Sequence, residues 1–323
     1  MKKFKKVMLF AVAAGAALSL VACSSSSSTG NSKTANKKPS ELKIGVSISD
    51  TSNPYFASMQ KAIAAYASSK GVSSSNIKIT DAQHDSAKEN ANVQNFISAG
   101  DDAILIDPVD SDSVVAIIKK ANKANIPVVL MDNNANGGDR LTFVASDNVQ
   151  AGSLAAQAIK AGAGSSAKTL ELQGTPGASS GIDRGNGFEK EAKTLGLNIV
   201  AKQSANFDRA KGLSVTQDLL QANSGVQAIY AQNDEMALGA VQAVKAAGLK
   251  NVVIVGVDGE ADSRAAVKAG DMYATVAQQP NKIGELALQA VFDHYAGKTV
   301  PSITHSPIVV LKKNNVNTAG INW

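Results

Sequence analysis

Polar and aromatic side chains follow several short apolar runs of the sequence, and their types are those that bind hydroxyl groups. Carboxylates accept hydrogen bonds from hydroxyls, amides and arginine donate to hydroxyl oxygens, and aromatic rings cover the C–H face of a sugar ring. The candidates are Asn53, Tyr55, Phe56, Asp107, Asp132, Asn133, Arg184, Phe207, Asn233, Asp258 and Gln278. Together they predict a site for a neutral, polyhydroxylated ligand such as a sugar.

Other chemistries have weaker support. The glycines of residues 174–177 and 185–187 follow neither the phosphate-loop nor the dinucleotide-binding pattern, so they are typical of turns. His84, His294 and His305 lie far apart, and a single cysteine excludes a multi-cysteine metal site. Paired carboxylates serve glycosidases, but here they alternate with amides, which favours binding. We therefore predict a binding protein with no enzyme activity, no metal and no cofactor.

Ten runs rich in β-branched and apolar residues predict the strands that position these side chains. They are Leu42–Ser49, Ile77–Asp81, Ala103–Asp107, Val128–Asp132, Thr142–Ser146, Thr169–Gln173, Ile199–Ser204, Ala228–Ala231, Val252–Asp258 and Tyr273–Ala277. Helix-like segments separate most of them, and Ser86 and Glu89 have the spacing of a capping box at one helix start.

This alternation predicts parallel sheets with helices on both faces. Because ten strands are too many for one open sheet of this length, the predicted fold class is α/β with two Rossmann-like, doubly wound lobes. A ligand then lies in the crevice at the carboxyl ends of the strands. Asn53 has an alternative role there as a helix cap, with Tyr55 and Phe56 as core aromatics.

The positive charge of the chain is concentrated at its beginning. The formal net charge of the 323 residues is +5, from 32 basic and 27 acidic residues. Seven lysines and no acidic residue fall within residues 1–40, so residues 41–323 carry 25 basic and 27 acidic groups, a net charge of −2. A nucleic-acid-binding module needs a concentrated cationic face, so we predict no nucleic-acid partner.

Residues 1–22 have the pattern of an export signal. A basic start is followed by an apolar run over residues 7–20 that is too short for a membrane span. The sequence Leu20-Val21-Ala22-Cys23 resembles the lipobox of bacterial lipoproteins, in which the cysteine is lipidated; a plain secretory signal is the alternative. Residues 23–41 are serine-rich and predict a flexible tether. We expect a lipid-anchored protein on the extracytoplasmic side of the cell membrane.

Eight segments of residues 42–312 resemble the sugar-binding lipoproteins of bacterial ABC importers, in particular the ribose-binding group. They are residues 53–56, 89–94, 121–128, 145–148, 171–174, 207–209, 231–239 and 277–278. The resemblance implies that the eleven candidates contact a sugar, with Tyr55 and Phe56 facing Phe207 across its ring. It also implies that Gln278 lies near a hinge.

Two candidates depart from the ribose-binding pattern. Asp107 stands where that pattern has asparagine, and Asn133 stands where it has arginine. The second change removes up to five donors, and together the two make the site about two charge units more negative. We therefore expect ribose or a related pentose, hexose or polyol.

The resemblance also implies a mechanism and partners. Two lobes close around the ligand about a hinge that the chain crosses near residues 146–147, 278–279 and 307–308. The N-terminal lobe is then 42–146 plus 279–307, and the C-terminal lobe is 147–278 plus 308–323. The partners are a monosaccharide and the transmembrane subunits of an ABC permease, and the protein is a monomer.

Three rival functions fit parts of this pattern. A sugar hydrolase or isomerase needs titratable groups poised around one bond. The ligand-sensing half of a repressor shares the two-lobed fold, but an export signal stands where its DNA-binding segment belongs. A receptor that reports a sugar or sugar-like signal to a membrane sensor has the same site, and it stays open as the alternative.

Overall fold

The computed structural model describes residues 37–317 and Trp323, and within them the chain forms two six-stranded sheets flanked by helices. The predicted export signal, Cys23 and most of the predicted tether lie outside the described residues. Within the described part of the chain, no helix is long and apolar enough to cross a bilayer.

All six strands of the first sheet are parallel. In chain order they are β1 (Ile44–Ile48), β2 (Ile77–Asp81), β3 (Ala103–Ile106), β4 (Val128–Met131), β5 (Thr142–Ser146) and β11 (Ile303–Ser306). Their order across the sheet is β11-β5-β4-β3-β1-β2. The strand order reverses between β1 and β3, which is the switch point where doubly wound sheets bind ligands.

The second sheet repeats this order with one antiparallel edge. It contains β6 (Lys168–Gln173), β7 (Asn198–Ser204), β8 (Ala228–Ala231), β9 (Val253–Asp258), β10 (Ala274–Ala277) and β12 (Val309–Lys312). The order is β12-β10-β9-β8-β6-β7, and β12 runs antiparallel to β10. Its switch point lies between β6 and β8. The predicted α/β fold with two doubly wound parallel sheets is confirmed.

Nine α-helices connect the strands of the described chain. They are α1 (Pro54–Ser69), α2 (Ser86–Ala99), α3 (Val115–Lys123), α4 (Asn148–Ala163), α5 (Ser179–Leu195), α6 (Arg209–Ala222), α7 (Asp234–Ala246), α8 (Ala261–Ala269) and α9 (Pro280–Tyr295). Helix α4 packs on the second sheet although it follows β5 of the first, and α9 packs on the first sheet although it follows β10 of the second. With the β11–β12 connection, the chain passes between the sheets three times.

Each sheet has a buried apolar core on both faces. In β3, Leu105 faces the side covered by α1 and α9, whereas Ile104 and Ile106 face the side covered by α2 and α3. In β9, Ile254 and Val255 likewise point to opposite cores. Because successive strand residues alternate between faces, a strand covered on both sides must be apolar throughout.

The helices begin next to the crevice because short polar side chains cap them there. Asn53 accepts a hydrogen bond from the backbone N of Tyr55 at the start of α1, and Asn233 accepts one from Met236 N at the start of α7. The predicted capping box is wrong by one residue, since Asp85 caps α2 and Ser86 is its first residue. Glu89 instead accepts from Val109 N.

Candidate functional site

A small cavity lies where the carboxyl ends of the two sheets face each other. The space inside it is narrow, because side chains from both sheets converge on it. Its lining is Asn53, Tyr55, Phe56, Asp132, Ser180, Arg184, Phe207, Asn233 and Asp258. Eight of these nine residues are among the eleven that the sequence predicted, and Ser180 was missed.

Three aromatic rings provide the apolar part of the lining. The rings of Tyr55 and Phe56 meet edge to face, with centroids 5.2 Å apart. Phe207 comes from the second sheet's side and has a left-handed backbone, with φ of 58°. Its ring occupies the space that a side chain at Gly174 would fill, since a Cβ there would lie 2.0 Å from the Phe207 ring. Residue 174 must therefore be glycine for Phe207 to reach the cavity.

Tyr55 and Asp132 form a buried polar pair on the first sheet's side. The Tyr55 hydroxyl donates to Oδ1 of Asp132 over 2.7 Å. Burial raises the pKa of Asp132, and Arg184 opposes that change by stabilising the carboxylate. Burial together with the Asp132 charge raises the pKa of the Tyr55 hydroxyl well above its ordinary value, so Tyr55 stays a donor.

Asp107 and Asn133 lie behind this pair and do not line the cavity. Asp107 is fully buried and accepts hydrogen bonds from the backbone N and the hydroxyl of Ser49. Asn133 Nδ2 donates to Asp107 Oδ1 over 3.1 Å and lies 3.4 Å from Asp132 Oδ2. Burial, followed by the nearby Asp132 charge, raises the pKa of Asp107 to about 8. Asn133 thus lies between the two carboxylates, and the role of Asp107 and Asn133 as ligand contacts remains a prediction.

Arg184 is held rigidly on α5 although it is almost fully buried. Its Nε donates to Oδ1 of Asn148 over 2.8 Å, and one terminal nitrogen donates to the backbone O of Gln232 over 2.7 Å. The same terminal nitrogen lies 3.9 Å from Asp258 Oδ1. The guanidinium carbon lies 5.9 Å from the centre of the Phe207 ring, within cation–π range. The donors of Arg184 that remain are thus fixed toward the cavity.

Gln278 connects the two sides of the site from behind Asp258. Its Nε2 donates to Asp258 Oδ1 over 2.7 Å, and its Oε1 lies 3.4 Å from the Tyr55 hydroxyl. The Trp323 indole donates to the backbone O of Gln278 over 3.0 Å. The indole also meets the Tyr55 ring edge to face at 5.6 Å. Gln278 therefore positions two cavity residues, and its own contact with a ligand remains a prediction.

The two asparagines of the lining use one end of the amide to cap their helices. Oδ1 of Asn53 accepts from Tyr55 N over 2.9 Å, and Oδ1 of Asn233 accepts from Met236 N over 3.0 Å. Asn233 Nδ2 also donates to the backbone O of Phe207. The cap and ligand-donor interpretations are compatible, because capping uses the amide oxygen and an amide nitrogen carries two N–H donors.

The loop between β6 and α5 bonds directly to the first sheet's side of the crevice. Ser180 N donates to Asn133 Oδ1 over 3.0 Å, and Asn134 N donates to the Ser179 hydroxyl over 2.7 Å. Ser111 N donates to Gly177 O over 3.1 Å. These bonds bridge the crevice, so the structure is a closed form.

Residues 177–181 have the Gly-x-Ser-x-Gly spacing of a hydrolase nucleophile, which needs a histidine base in hydrogen-bonding reach. The hydroxyl of the central Ser179 accepts from Asn134 N instead. Of the chain's three histidines, His84 bonds to Thr175, His294 packs on Tyr295 and His305 lies in β11. The spacing therefore occurs without the catalytic arrangement.

Comparison with known proteins gives consistent results. The sequence model of the periplasmic binding protein domain matches residues 44–299. The ribose import binding protein of Bacillus subtilis is 44% identical over 277 residues, which cover 86% of this chain and 88% of that protein.

Solved structures with similar folds carry bound sugars or polyols. A solute-binding protein of Bacillus halodurans with bound myo-inositol superposes with a TM-score of 0.81 at 30% identity, covering 87% of this chain and 98% of that one. The binding protein of an arabinose transporter from a Shewanella species was solved with bound L-arabinofuranose. It superposes with a TM-score of 0.80 at 34% identity, covering 85% of this chain and 93% of that one.

Proposed function

Because the chain belongs to the periplasmic binding protein family, we propose that it captures one monosaccharide in the crevice and delivers it to an ABC permease. The family is one of solute-binding proteins and implies an extracytoplasmic location, so this protein binds its ligand and does not transform it. The observation that carries the proposal is the cavity in the crevice, whose lining combines carboxylates, amides, an arginine and aromatic rings from both sheets' sides.

The composition of the lining supports a sugar. Asp132 and Asp258 supply acceptors for ligand hydroxyls, and Asn53, Asn233 and Arg184 supply donors. Closure removes water, so a hydroxyl without a partner costs about 1–3 kcal/mol, and an epimer is rejected on that basis. The ligand class is ribose or a related pentose, hexose or polyol, in line with the ribose import and myo-inositol binding of similar proteins.

The three passages of the chain between the sheets support a division into two lobes. The N-terminal lobe is 42–146 plus 279–307, and the C-terminal lobe is 147–278 plus 308–323. The lobes open to admit the sugar and close to hold it. In this proposal the protein is a monomer, tethered by lipid on Cys23, whose closed form docks on the permease.

A thermal-shift panel tests the proposed ligand class. D-ribose, L-arabinose, D-allose and myo-inositol are added to the purified protein, with sodium phosphate and glycine as non-sugar controls. A true ligand raises the melting temperature in a saturable way, because it binds only the folded state. The proposal fails if no sugar or polyol shifts the melting temperature, or if incubation converts a sugar into a product.

A further inference from the structure

Asp234 is a buried carboxylate that lies one residue after the cavity residue Asn233 and does not line the cavity. It is the first residue of α7, it is 0% exposed, and its side chain points toward the loop between β9 and α8. That loop begins directly after Asp258, the last residue of β9, whose side chain lines the cavity. The function proposed above gives Asp234 no role.

Four donors converge on the Asp234 carboxylate. Oδ2 accepts from the backbone N of Gly259 over 2.7 Å, from the backbone N of Glu260 over 3.1 Å and from the Ser263 hydroxyl over 2.5 Å. Oδ1 accepts from the Thr275 hydroxyl over 2.8 Å. These donors come from the β9–α8 loop, from α8 and from β10, so one side chain joins three elements to the start of α7.

The backbone next to these donors is in an unusual conformation. Asp258 has a φ of 133° and Gly259 has a φ of 81°. A Cβ at residue 259 would lie 2.4 Å from the Cβ of Ala277, so only glycine fits there. A non-glycine residue with such a φ persists when its surroundings fix it. Asp234 binds the two backbone N–H groups that follow Asp258, so the Asp234 carboxylate is the group that holds this backbone conformation.

The packing beneath Asp234 is arranged for a carboxylate. A Cβ at Gly256 would lie 2.2 Å from Asp234 Oδ1, so the absence of a side chain at residue 256 makes room for that oxygen. Burial raises the pKa of Asp234 to about 6, and its hydrogen bonds with Ser263, Thr275 and the loop N–H groups oppose that rise. The start of a helix also favours negative charge. The carboxylate is therefore stabilised as an acceptor for the loop.

We propose that Asp234 is a positioning residue that sets the backbone of Asp258, and thereby aims the Asp258 carboxylate at the ligand without touching the ligand itself. This inference rests on the sugar-binding function proposed above. Asn233, which lines the cavity, and Asp234, which holds the loop carrying Asp258, are adjacent in sequence. One turn at the end of β8 thus organises two ligand contacts of the second sheet.

The conservative variant separates the hydrogen bonds from the charge. In Asp234→Asn, the amide oxygen can replace Oδ2 and still accept hydrogen bonds from the backbone N of Gly259 and of Glu260. The amide Nδ2 can then donate to the Thr275 hydroxyl, because a hydroxyl oxygen is an acceptor as well as a donor. We expect Asp234→Asn to bind within about threefold of wild type and Asp234→Ala to bind at least about tenfold more weakly. Ser263→Ala and Thr275→Val remove single donors and provide milder variants if Asp234→Ala does not fold.

Calorimetry with D-ribose, or with the panel sugar that gives the largest thermal shift, measures these affinities. A double-mutant cycle with Asp258→Asn tests whether Asp234 acts through Asp258. In that background Asp234→Ala should change affinity by less than about threefold, because residues that act through one another are not additive. Asp85→Ala, which removes the cap of α2 on the other sheet, is the control for a general loss of stability and should bind as wild type does.

A second readout needs no sugar. Asp234→Ala should accelerate hydrogen exchange of the Glu260 amide at least about tenfold, because its acceptor is lost. The Gly259 amide should also exchange faster but by a smaller factor, because it keeps a 3.2 Å contact with the Thr275 hydroxyl. Asp85→Ala should leave both amides unchanged. Unchanged exchange, unchanged affinity in folded Asp234→Ala, or additive effects in the cycle would overturn the positioning role. If wild type binds no sugar but the two amides respond, the proposed ligand class fails and the positioning of Asp258 stands.

Discussion

The hydroxyl of Tyr55 donates to the carboxylate of Asp132 across 2.7 Å inside the cavity. Both groups are buried, and both have a raised pKa. The tyrosine therefore occupies an acceptor oxygen that a ligand hydroxyl would otherwise use. This contact sets a competition between a protein donor and a ligand donor at one carboxylate.

Tyr55→Phe tests that competition. Without sugar, the variant should lose about 1–2 kcal/mol of folding free energy, because a buried carboxylate loses a donor. With sugar, D-ribose should bind a few times more tightly, because its hydroxyl replaces the lost donor. Denaturant unfolding and calorimetry measure the two effects. Weaker D-ribose binding by the variant would show that the tyrosine hydroxyl itself contacts the ligand.

Arg184→Ala and Asp258→Ala should each abolish measurable sugar binding while the protein stays folded. Each removes a buried hydrogen-bonding group from the lining of the cavity, so a ligand hydroxyl loses its partner there. Lys202→Ala is the control, because Lys202 pairs with Glu189 on the exposed surface of the same sheet. Calorimetric affinities equal to wild type in both cavity variants would refute the site assignment.

Asn133→Ala should weaken closure of the crevice. The variant loses the bond to Ser180 N across the crevice and the bond to the buried Asp107 carboxylate. We expect sugar affinity to fall about tenfold, since the Ser180 bond crosses the crevice and an open form does not make it.

Small-angle scattering with and without D-ribose reports closure of the Asn133 variant. The matched control is Asn136→Ala, whose amide donates to Asp112 in the same loop region. Equal affinity and equal compaction in the Asn133 variant and wild type would contradict a role for this bond in closure.

Glu89→Gln should make stability less dependent on pH. Burial raises the pKa of Glu89 from 4.5 to about 8, with the charges of Asp107 and Asp110 adding to it. Because the folded-state pKa is the higher one, the folded protein holds a proton that the unfolded chain releases, and stability falls as pH rises from about 4.5 to 8.

The glutamine variant should therefore melt about 2–5 °C higher than wild type at pH 9 and at a similar temperature at pH 5. Glu285→Gln, on the exposed surface beside Lys282, serves as the control. An identical pH dependence of melting in wild type and Glu89→Gln would mean that Glu89 titrates normally.

Cys23→Ser tests the predicted lipid anchor. The variant should leave the membrane fraction for the soluble fraction, because a serine cannot carry the thioether-linked lipid that holds the protein to a bilayer. Fractionation of cells expressing each form, followed by detergent partitioning, measures the change. Retention of the serine variant in the membrane fraction would show that another feature holds the protein there.

The sequence was most informative where chemistry and topology coincide. Residues at carboxyl ends of parallel strands must meet at one edge, so eight of the cavity residues were predictable from strand positions and side-chain type. Ser180 was missed because its position depends on how the loop before α5 folds against the opposite sheet. No local pattern shows that the amide of Asn133 hydrogen-bonds to Asp107 and Ser180, since both partners are distant in sequence.

The two unpredicted strands have different explanations. Strand β11 is a four-residue edge strand with mixed polarity and partial exposure, so its sequence has neither a continuous apolar run nor clean alternation. Strand β12 is also short and pairs antiparallel with β10. The pairing of β11 with β5 supplies what its own sequence lacks, whereas β12 contains the apolar run Val309–Leu311, which the strand prediction overlooked. The capping error at α2 arose because Asp85 and Ser86 are both good caps, and Glu89 finds a better partner in the backbone N of Val109.

Trp323 is the only tryptophan of the sequence. Its indole is bonded to Gln278, beside the passage from β10 to α9, and lies against the Tyr55 ring. Its emission therefore reports on a single tryptophan at the junction that we expect to bend when the crevice opens. Emission wavelength and energy transfer from Tyr55 should follow opening and closing in real time, so the unlabelled protein already contains an optical sensor of its own ligand.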